Sequence, residues 1–383
     1  MRLGQVGLAV VVAVGAFVAT TRIAPALAGS ISLHPFATTL QPFVPDDTAG
    51  GRPGDWRELQ WNFAGRYGVD APRAWANLIA AGAPGGAGVS IAVLDTGVAY
   101  TNRKSFRRSP DLAGARFVPG WDFVDDDAYP LDRNGHGTHV ASTIAEQTDN
   151  GYGLTGLAYG ARIMPIRVLD AYGDGDALRI ARGVVFAVDH GAKVINLSLN
   201  FDRAISAAQI PELLRAFRYA AERGVLVVTA AGNAHAEGLP YPARADDVLA
   251  VGATTEFGCV ASYSSFGRDL DIVAPGGGAD ASLADDPNCR GGRTGRSIFQ
   301  ITLDRGVARF RRHGFIGASM AAPHVSAIAA LIVASKVLGS DPSPAAVTQR
   351  LRQTARDLGP PGYDERYGWG LVDAGAATAP AGG

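Results

Sequence analysis

Short apolar runs rich in β-branched residues alternate with longer helical segments through the middle of the chain, and this alternation restricts the fold more than any other feature. Strand-like runs occupy residues 89–97, 162–169, 193–199, 225–230 and 248–253, and helical apolar spacing fills 177–190 and 211–223. Because each helix returns the chain to the start of the next strand, the strands run parallel. The sequence predicts an α/β fold with a mostly parallel central sheet and helices on both faces.

A single serine, Ser319, lies among small residues just before an apolar, alanine-rich run at 325–338. This run predicts a buried helix and places Ser319 at or near its N-terminus. Free backbone N–H groups and the positive end of the helix dipole would stabilise an oxyanion there. The alternative interpretation is an ordinary N-cap serine.

Two upstream segments offer the acid and the base that a nucleophilic serine needs. Asp95 lies near the end of the apolar run 89–97, which predicts a buried parallel strand with the carboxylate at the sheet edge where open α/β folds place their sites. His136 lies among glycines at the start of another predicted helix. The chain order Asp95, His136, Ser319 is one of the known orders of a serine catalytic triad.

Two other hydrolase classes fit these residues less well. An α/β-hydrolase needs Gly-x-Ser-x-Gly and the order serine, acid, histidine, whereas Ser319 comes last here. A zinc hydrolase could use His136 and His139, but the glutamate of the His-Glu-x-x-His pattern is missing. His139 is more simply explained as a packed core histidine.

Four motifs together resemble the subtilisin-like serine peptidases (the subtilase family), in particular the thermitase-like branch of secreted bacterial type. The motifs lie at residues 94–97, 136–139, 230–233 and 317–324, and the resemblance extends over residues 45–377. It implies a three-layer fold with about seven strands and an endopeptidase that forms an acyl-enzyme. Asp95, His136 and Ser319 would be the triad, and the Asn233 amide with the Ser319 backbone N–H would form the oxyanion hole.

The resemblance also implies two segments that flank an extended peptide substrate. The predicted substrate-binding residues are Tyr172, Gly173 and Asp174 on one edge, Ser198, Leu199 and Asn200 on the facing edge, and Ala231 with Gly232. Backbone pairing with such edges gives affinity without much sequence preference, so side-chain pockets set the specificity. Asn200 stands where many family members have glycine. A side chain there would narrow the first pocket, which is the pocket for the substrate residue before the scissile bond.

Two sets of side chains resemble structural calcium sites of the family. The first set is Asp47, Asp111 and Asn150, and the second is Asp122, Asp125 and Asp127 in an acidic loop. Carboxylate and amide oxygens suit a hard cation such as Ca²⁺. Turn residues and a solvated acidic loop are the alternative explanations. We expect structural calcium and no catalytic cofactor.

The first 28 residues have the pattern of a cleavable secretory signal. An early arginine and an apolar stretch precede Ala26-Leu27-Ala28, which predicts cleavage after Ala28. The protein is therefore expected to be secreted or periplasmic, without stable membrane insertion after cleavage. The formal net charge of −1 argues against nucleic acid as a partner, and we expect a monomer that acts on polypeptides.

The remaining segment boundaries follow from the predicted signal and from the extent of the family resemblance. Residues 29–44 are predicted to be a flexible lead-in, which leaves no room for a full-size pro-domain before a catalytic domain at 45–377 and a short tail at 378–383. Residues 277–314 exceed the minimal family core and are predicted to be a surface insertion. Cys259 and Cys289 are the two cysteines of the chain, and in an exported protein such a sparse pair is most simply a disulfide.

A second class of function stays open at this point. The same scaffold could serve a catalytically weak or inactive exported binding protein. A serine-directed reagent separates the two classes, because an inactive scaffold would not react stoichiometrically.

Overall fold

A parallel β-sheet forms the centre of the protein. The computed structural model describes residues 40–380, and the predicted signal segment lies outside them. The strands, including those of a separate hairpin, are β1 (Ser90–Asp95), β2 (Arg116–Phe117), β3 (Trp121–Asp122), β4 (Arg162–Arg167), β5 (Val194–Leu197), β6 (Leu226–Ala230), β7 (Val248–Thr254), β8 (Ile272–Pro275), β9 (Ile298–Leu303) and β10 (Phe310–Phe315).

The strand order of the central sheet is β2-β4-β1-β5-β6-β7-β8, and β3 also pairs with β4. All of these pairs are parallel. Every residue of β1 is buried, which explains its continuous apolar sequence, since a sheet covered on both faces has no polar side. The predicted mostly parallel sheet of about seven strands is confirmed.

Helices cover both faces of this sheet, so the predicted three-layer arrangement is confirmed. They are α1 (Trp56–Leu59), α2 (Trp61–Ala64), α3 (Ala71–Ala80), α4 (His136–Ala145), α5 (Ala177–Asp189), α6 (Pro211–Glu222), α7 (Ala318–Ser335), α8 (Pro344–Thr354) and α9 (Ala374–Thr378). Helices α5 and α6 pack in one hydrophobic core. Helices α3, α4 and α7 pack in the other.

Helix α7 is the central element of its layer. It begins at Ala318, seven residues before the predicted start at Val325, because Pro323 is accommodated inside the helix instead of preceding it. The helix is long and apolar enough to span a membrane, but 83% of its residues are buried inside the protein. It is therefore a core helix of the fold.

The hairpin β9–β10 replaces part of the predicted surface insertion. The side chains of β9 are mostly buried, and His139 of α4 has its Nε2 3.0 Å from the carbonyl oxygen of Ile298. The His139 ring also stacks on Phe315 with centroids 4.5 Å apart, and burial lowers the pKa of His139 to about 3. His139 is thus the packed core histidine that the sequence predicted, and β9 belongs to the core, whereas no residue of β10 is buried.

One cysteine of the disulfide, Cys289, lies in the remainder of the predicted insertion, and the other, Cys259, precedes it. Cys259 and Cys289 are bonded across a separation of 30 residues. Both cysteines are buried. This pairing confirms the disulfide expected for an exported chain.

Candidate active site

A cleft opens at the carboxyl end of the central strands, and the predicted catalytic residues meet there. His136, Ser319 and Asn233 all line it. The predicted substrate residues that also line it are Tyr172, Gly173, Asp174, Ser198, Leu199, Asn200 and Gly232. Ala231, predicted with them, is instead fully buried below the cleft.

Asp95 and His136 form the hydrogen bond expected of an acid and a base that act together. Asp95 is the last residue of β1 and is fully buried, and its Oδ1 lies 2.8 Å from Nδ1 of His136. The same oxygen accepts a hydrogen bond from the backbone N–H of Thr96 at 2.7 Å. With Nδ1 donating to the carboxylate, Nε2 of His136 is left as the proton acceptor.

The first turn of α4 fits tightly beneath Asp95. A Cβ at Gly137 would lie 2.2 Å from the carbonyl oxygen of Gly97 and 3.1 Å from Oδ1 of Asp95. Contacts this short do not occur between real atoms, so any larger residue would push α4 away from β1. The glycine after His136 therefore sets the distance between acid and base.

The electrostatic environment of His136 favours its protonated form. Burial disfavours the imidazolium, but the charge of Asp95 and its hydrogen bond outweigh burial and raise the pKa of His136 above its ordinary value. About a quarter of the side chain remains exposed, at 26%. The imidazole is thus both held by the protein and accessible from the cleft.

Asp132 is a buried carboxylate that the sequence analysis missed. Its Oδ1 accepts hydrogen bonds from the Thr96 hydroxyl at 2.9 Å and from the backbone N–H groups of Asn134 and Gly135 at 2.8 and 2.9 Å. Its Oδ2 accepts from the backbone N–H and the hydroxyl of Thr138. Asp132 therefore fixes the loop into α4 and so the position of His136. An aspartate two residues before Asn-Gly is a turn signal that could have indicated this role.

Ser319 is the second residue of α7, and its backbone is held by a neighbouring strand. Pro323 has no N–H and cannot make the helical hydrogen bond to the carbonyl of Ser319. The hydroxyl of Ser198, just after β5, donates to that carbonyl at 2.8 Å instead. Ser198 was predicted to bind substrate, and the structure adds this hydrogen bond to the backbone of Ser319. No hydrogen bond joins the Ser319 and His136 side chains within residues 40–380, and such contacts often tighten only when substrate binds.

Asn233 follows β6 and faces the start of α7. Its Oδ1 accepts a hydrogen bond from the backbone N–H of Ala318 at 2.8 Å. Because this contact occupies the oxygen, the amide N–H₂ group is the part of the side chain that can donate to a ligand. The backbone N–H of Ser319, in the first turn of α7, is a second donor at the same place.

Asn200 joins the two sides of the cleft between β5 and β6. Its amide donates to the carbonyl of Ala230 at 2.7 Å. The segments that follow these adjacent strands are therefore bridged by a side chain at the point where a glycine would leave a gap. The narrowing of the first pocket by Asn200 stays a prediction.

The first predicted calcium set contains two buried carboxylates. Asp47 and Asp111 are both fully buried. Asp47 accepts hydrogen bonds from the backbone N–H groups of Asp149 and Asn150 at 2.9 and 3.0 Å. Oδ1 of Asp111 is buried without a hydrogen-bond partner. Burial is the main cause that raises the pKa of Asp47 to about 6 and of Asp111 to about 7. Two buried carboxylates with an unpartnered oxygen fit a cation.

The second predicted calcium set is paired differently. Nη1 of Arg167 donates to Oδ2 of Asp122 at 2.8 Å and to Oδ2 of Asp125 at 3.0 Å. Asp127 accepts instead from the backbone N–H of Tyr129. The Arg167 side chain is almost fully buried and takes the place that we expected for a cation, because the sequence could not show that Arg167 reaches this loop. In residues 40–380, no group of three acidic, histidine or cysteine side chains converges as a metal site.

Comparison with known proteins identifies relatives among bacterial serine proteinases. The chain is 36% identical over 284 residues to a thermophilic serine proteinase of Bacillus sp. (strain AK1), an alignment that covers 74% of this chain and 60% of that one. It is 41% identical over 208 residues to thermitase of Thermoactinomyces vulgaris, covering 54% of this chain and 68% of thermitase. It is 38% identical over 296 residues to subtilisin Savinase of Lederbergia lenta, covering 76% and 91%.

Solved structures give the same assignment. The structure titled "Proteases from Pseudoalteromonas arctica PAMC 21717" superposes with a TM-score of 0.69 at 30% identity, over 88% of this chain and 98% of that one. A cold adapted subtilisin-like serine proteinase superposes with a TM-score of 0.57 at 30% identity, over 76% and 89%. Residues 86–370 match the sequence profile described as the subtilase family. The chain therefore belongs to the subtilase family of serine peptidases.

Proposed function

We propose that this protein is an exported serine endopeptidase that hydrolyses polypeptides through an acyl-enzyme. The observation that carries the proposal is the hydrogen bond between Asp95 and His136 in the cleft that Ser319 also lines. Export is inferred from the signal-like pattern of residues 1–28, which lie outside the described part of the structure. We expect the mature protein to act as a monomer.

In the proposed reaction, His136 is the general base and then the general acid. Nε2 takes the proton of Ser319 as its oxygen attacks the peptide carbonyl, and then gives that proton to the leaving amine. Asp95 holds the imidazole in the required tautomer and stabilises the imidazolium. Water repeats the sequence on the acyl-enzyme, with His136 again as the base.

The oxyanion that forms at the carbonyl would be stabilised by two preorganised donors. Asn233 is oriented by the hydrogen bond from Ala318, which directs its amide group to donate. The Ser319 backbone N–H is the second donor, and the N-terminus of α7 adds its partial positive charge. These donors require no reorganisation when charge develops.

The substrate is proposed to bind as an extended strand between residues 172–174 and 198–200, which line opposite parts of the cleft. This mode uses the substrate backbone and accepts many sequences. The Asn200 bridge to Ala230 restricts the pocket next to the scissile bond. We therefore infer that small side chains are preferred at the residue before the cleaved bond.

Replacement of Ser319 by alanine tests the proposed reaction. Ser319→Ala should lower casein hydrolysis by about 10⁶-fold, because removal of the nucleophile removes the covalent pathway. A sulfonyl fluoride should label the wild type stoichiometrically and leave Ser319→Ala unlabelled. Thermal unfolding of both proteins controls for folding. Negligible hydrolysis and no labelling of the folded wild type would favour a binding protein on the same scaffold.

The pH dependence tests the role of His136. The neutral imidazole is the base, so kcat/KM should increase with pH through a midpoint above the ordinary pKa of 6.5, since Asp95 raises the pKa of His136. Asp95→Asn removes the charge and should move the midpoint to lower pH and lower the rate by about 10⁴-fold. A wild-type midpoint below the ordinary pKa would contradict this assignment.

We further propose a structural calcium ion held by Asp47, Asp111 and the carbonyl oxygen of the Asn150 side chain. The ion would neutralise two buried carboxylates and so stabilise the loops that carry them. Support comes from the unpartnered Oδ1 of Asp111 and from the burial that raises the pKa of both acids. No step of the proposed reaction requires the ion.

Calcium removal should therefore lower stability. At a free calcium concentration 100-fold above Kd, binding contributes about 2.7 kcal/mol, and chelation should lower Tm by roughly 5 °C or more. Asp111→Asn should abolish this difference, whereas Asp127→Asn, on the loop without a cation site, should retain it. Calorimetric titration provides a direct check, and equal calcium binding by Asp111→Asn and wild type would rule out this site.

The hydrogen bond from Ser198 to Ser319 should support turnover rather than substrate affinity. Ser198→Ala leaves the Ser319 carbonyl unpartnered and should lower kcat about 10-fold with little change in KM, because small displacements of a nucleophile are costly. Ser142→Ala is the matched control, since Ser142 is also a buried serine bonded to a carbonyl, that of Ile301. Equal kcat values for the two variants would refute a positioning role.

A further inference from the structure

Four exposed cations lie on two adjoining loops. They are Lys104 and Arg107 in the loop at 101–108, and Arg305 and Arg309 at the turn between β9 and β10. The two loops are joined, because the backbone N–H of Arg107 donates to the carbonyl of Val307 at 3.0 Å. We call these four residues the basic rim.

The charge of the basic rim is not neutralised within the described chain. None of its four side chains forms an ion pair with any residue between 40 and 380, where ion pairs occur at other sites. Asp304, which precedes Arg305, is engaged by Arg311 at 3.2 Å and lies 3.8 Å from Nε2 of His313. A protein with a formal net charge of −1 therefore carries a local positive surface here.

Neighbouring acids and aromatic rings do not remove this positive charge. Arg103 of the same loop stacks over the Tyr129 ring at 3.4 Å, on the side that faces the acidic loop. Asp125 in that loop is paired with Arg133 and Arg167. Asp126 and Asp127 of that loop form no ion pair within residues 40–380, and no acid of the loop forms an ion pair with the basic rim.

Two contacts connect the loops of the basic rim with the segment that precedes His136. The hydroxyl of Thr302 donates to the carbonyl of Gly135, the residue before His136. The guanidinium of Arg133 lies 5.7 Å from the centre of the Phe106 ring, in the loop at 101–108. Because a strand advances about 3.3 Å per residue, Arg305 begins roughly 10 Å beyond Thr302.

The basic rim lies outside the part of the cleft assigned to the acyl half of a substrate. Residues 172–175, 198–203 and 232–234 line the cleft together with His136 and Ser319, and none of the rim residues lines it. His136 protonates the leaving amine in the proposed reaction, so the peptide after the scissile bond must pass this histidine. The hairpin contacts the residue that precedes His136, so the path inferred for the leaving half of the substrate runs toward the hairpin and its turn.

We propose that the basic rim binds acidic residues downstream of the scissile bond and so selects acidic polypeptide segments as substrates. This inference rests on the proposed endopeptidase function. A distance of roughly 10 to 15 Å from His136 corresponds to about the third to fifth residue after the cleaved bond in an extended chain. The residues before the scissile bond can then vary widely in sequence, while the residues after it are selected by their charge.

Paired peptides test the proposal. Two internally quenched peptides share one acyl half and differ only downstream, with Glu or Lys at the third to fifth positions after the scissile bond. Wild-type kcat/KM should be roughly five- to tenfold higher for the Glu peptide at low salt, as a few exposed charge contacts allow. Salt at 0.5 M should reduce the ratio because exposed charges are screened.

Charge reversal on the rim should invert the preference. Arg305→Glu combined with Arg309→Glu should favour the Lys peptide, whereas Arg218→Glu combined with Arg290→Glu, an equal charge change on exposed arginines elsewhere, should retain the Glu preference. A p-nitroanilide with the same acyl half has no downstream residues and should be cleaved equally by all three proteins.

The outcomes distinguish failure of the basic rim from failure of the proposed endopeptidase function. Normal cleavage of the p-nitroanilide with the same Glu to Lys ratio in rim and control variants would overturn the basic rim as a specificity surface and leave the endopeptidase intact. No cleavage of any substrate by wild type would overturn both. A preference that changes equally in both double variants would reflect net charge alone and would also refute the rim.

Discussion

The position of Ser319, the proposed nucleophile, depends on a buried chain of hydrogen bonds that ties α7 to the sheet. The Ser326 hydroxyl donates to Oδ1 of Asn196 at 2.8 Å, Nδ2 of Asn196 donates to the Ser198 hydroxyl at 3.0 Å, and Ser198 donates to the Ser319 carbonyl at 2.8 Å. Each member leaves a buried polar group unpaired if it is lost. Pro323 makes the last contact necessary, because a proline cannot close the first helical turn onto Ser319. The sheet, and not the helix alone, therefore locates Ser319.

His136, the proposed base, is also held in place by buried hydrogen bonds, on the other side of the cleft. Asp132 accepts five hydrogen bonds from the loop into α4 and from Thr96. Thr96 follows Asp95 directly, so one buried carboxylate connects the acid-bearing strand with the helix that begins at His136. Burial raises the pKa of Asp132, and the hydrogen bonds from Gly135, Asn134 and Thr138 oppose that effect. Rigid buried polar groups thus fix the acid and the base relative to each other before substrate arrives.

The sequence predicted the elements and the motifs well because both depend on local patterns. The apolar run ending at Asp95 could only be a buried strand, and the glycines around His136 marked a tight turn into a helix. Contacts between distant segments were not predictable. Nothing in the acidic loop shows that Arg167, on β4, reaches Asp122 and Asp125. The burial of β9 was also not evident within an arginine-rich stretch, and residues 277–314 were predicted as a surface insertion although β9 is mostly buried.

The hairpin explains how catalysis and substrate selection can be separated in one fold. Its inner strand, β9, packs against α4, and Thr302 contacts the residue before His136. Its outer strand and turn are largely exposed. Substitutions on the inner side would disturb the packing that holds the base, whereas substitutions on the outer side change only the charge presented to solvent. A surface arginine on this hairpin can therefore act on a substrate without any cost to the geometry of His136.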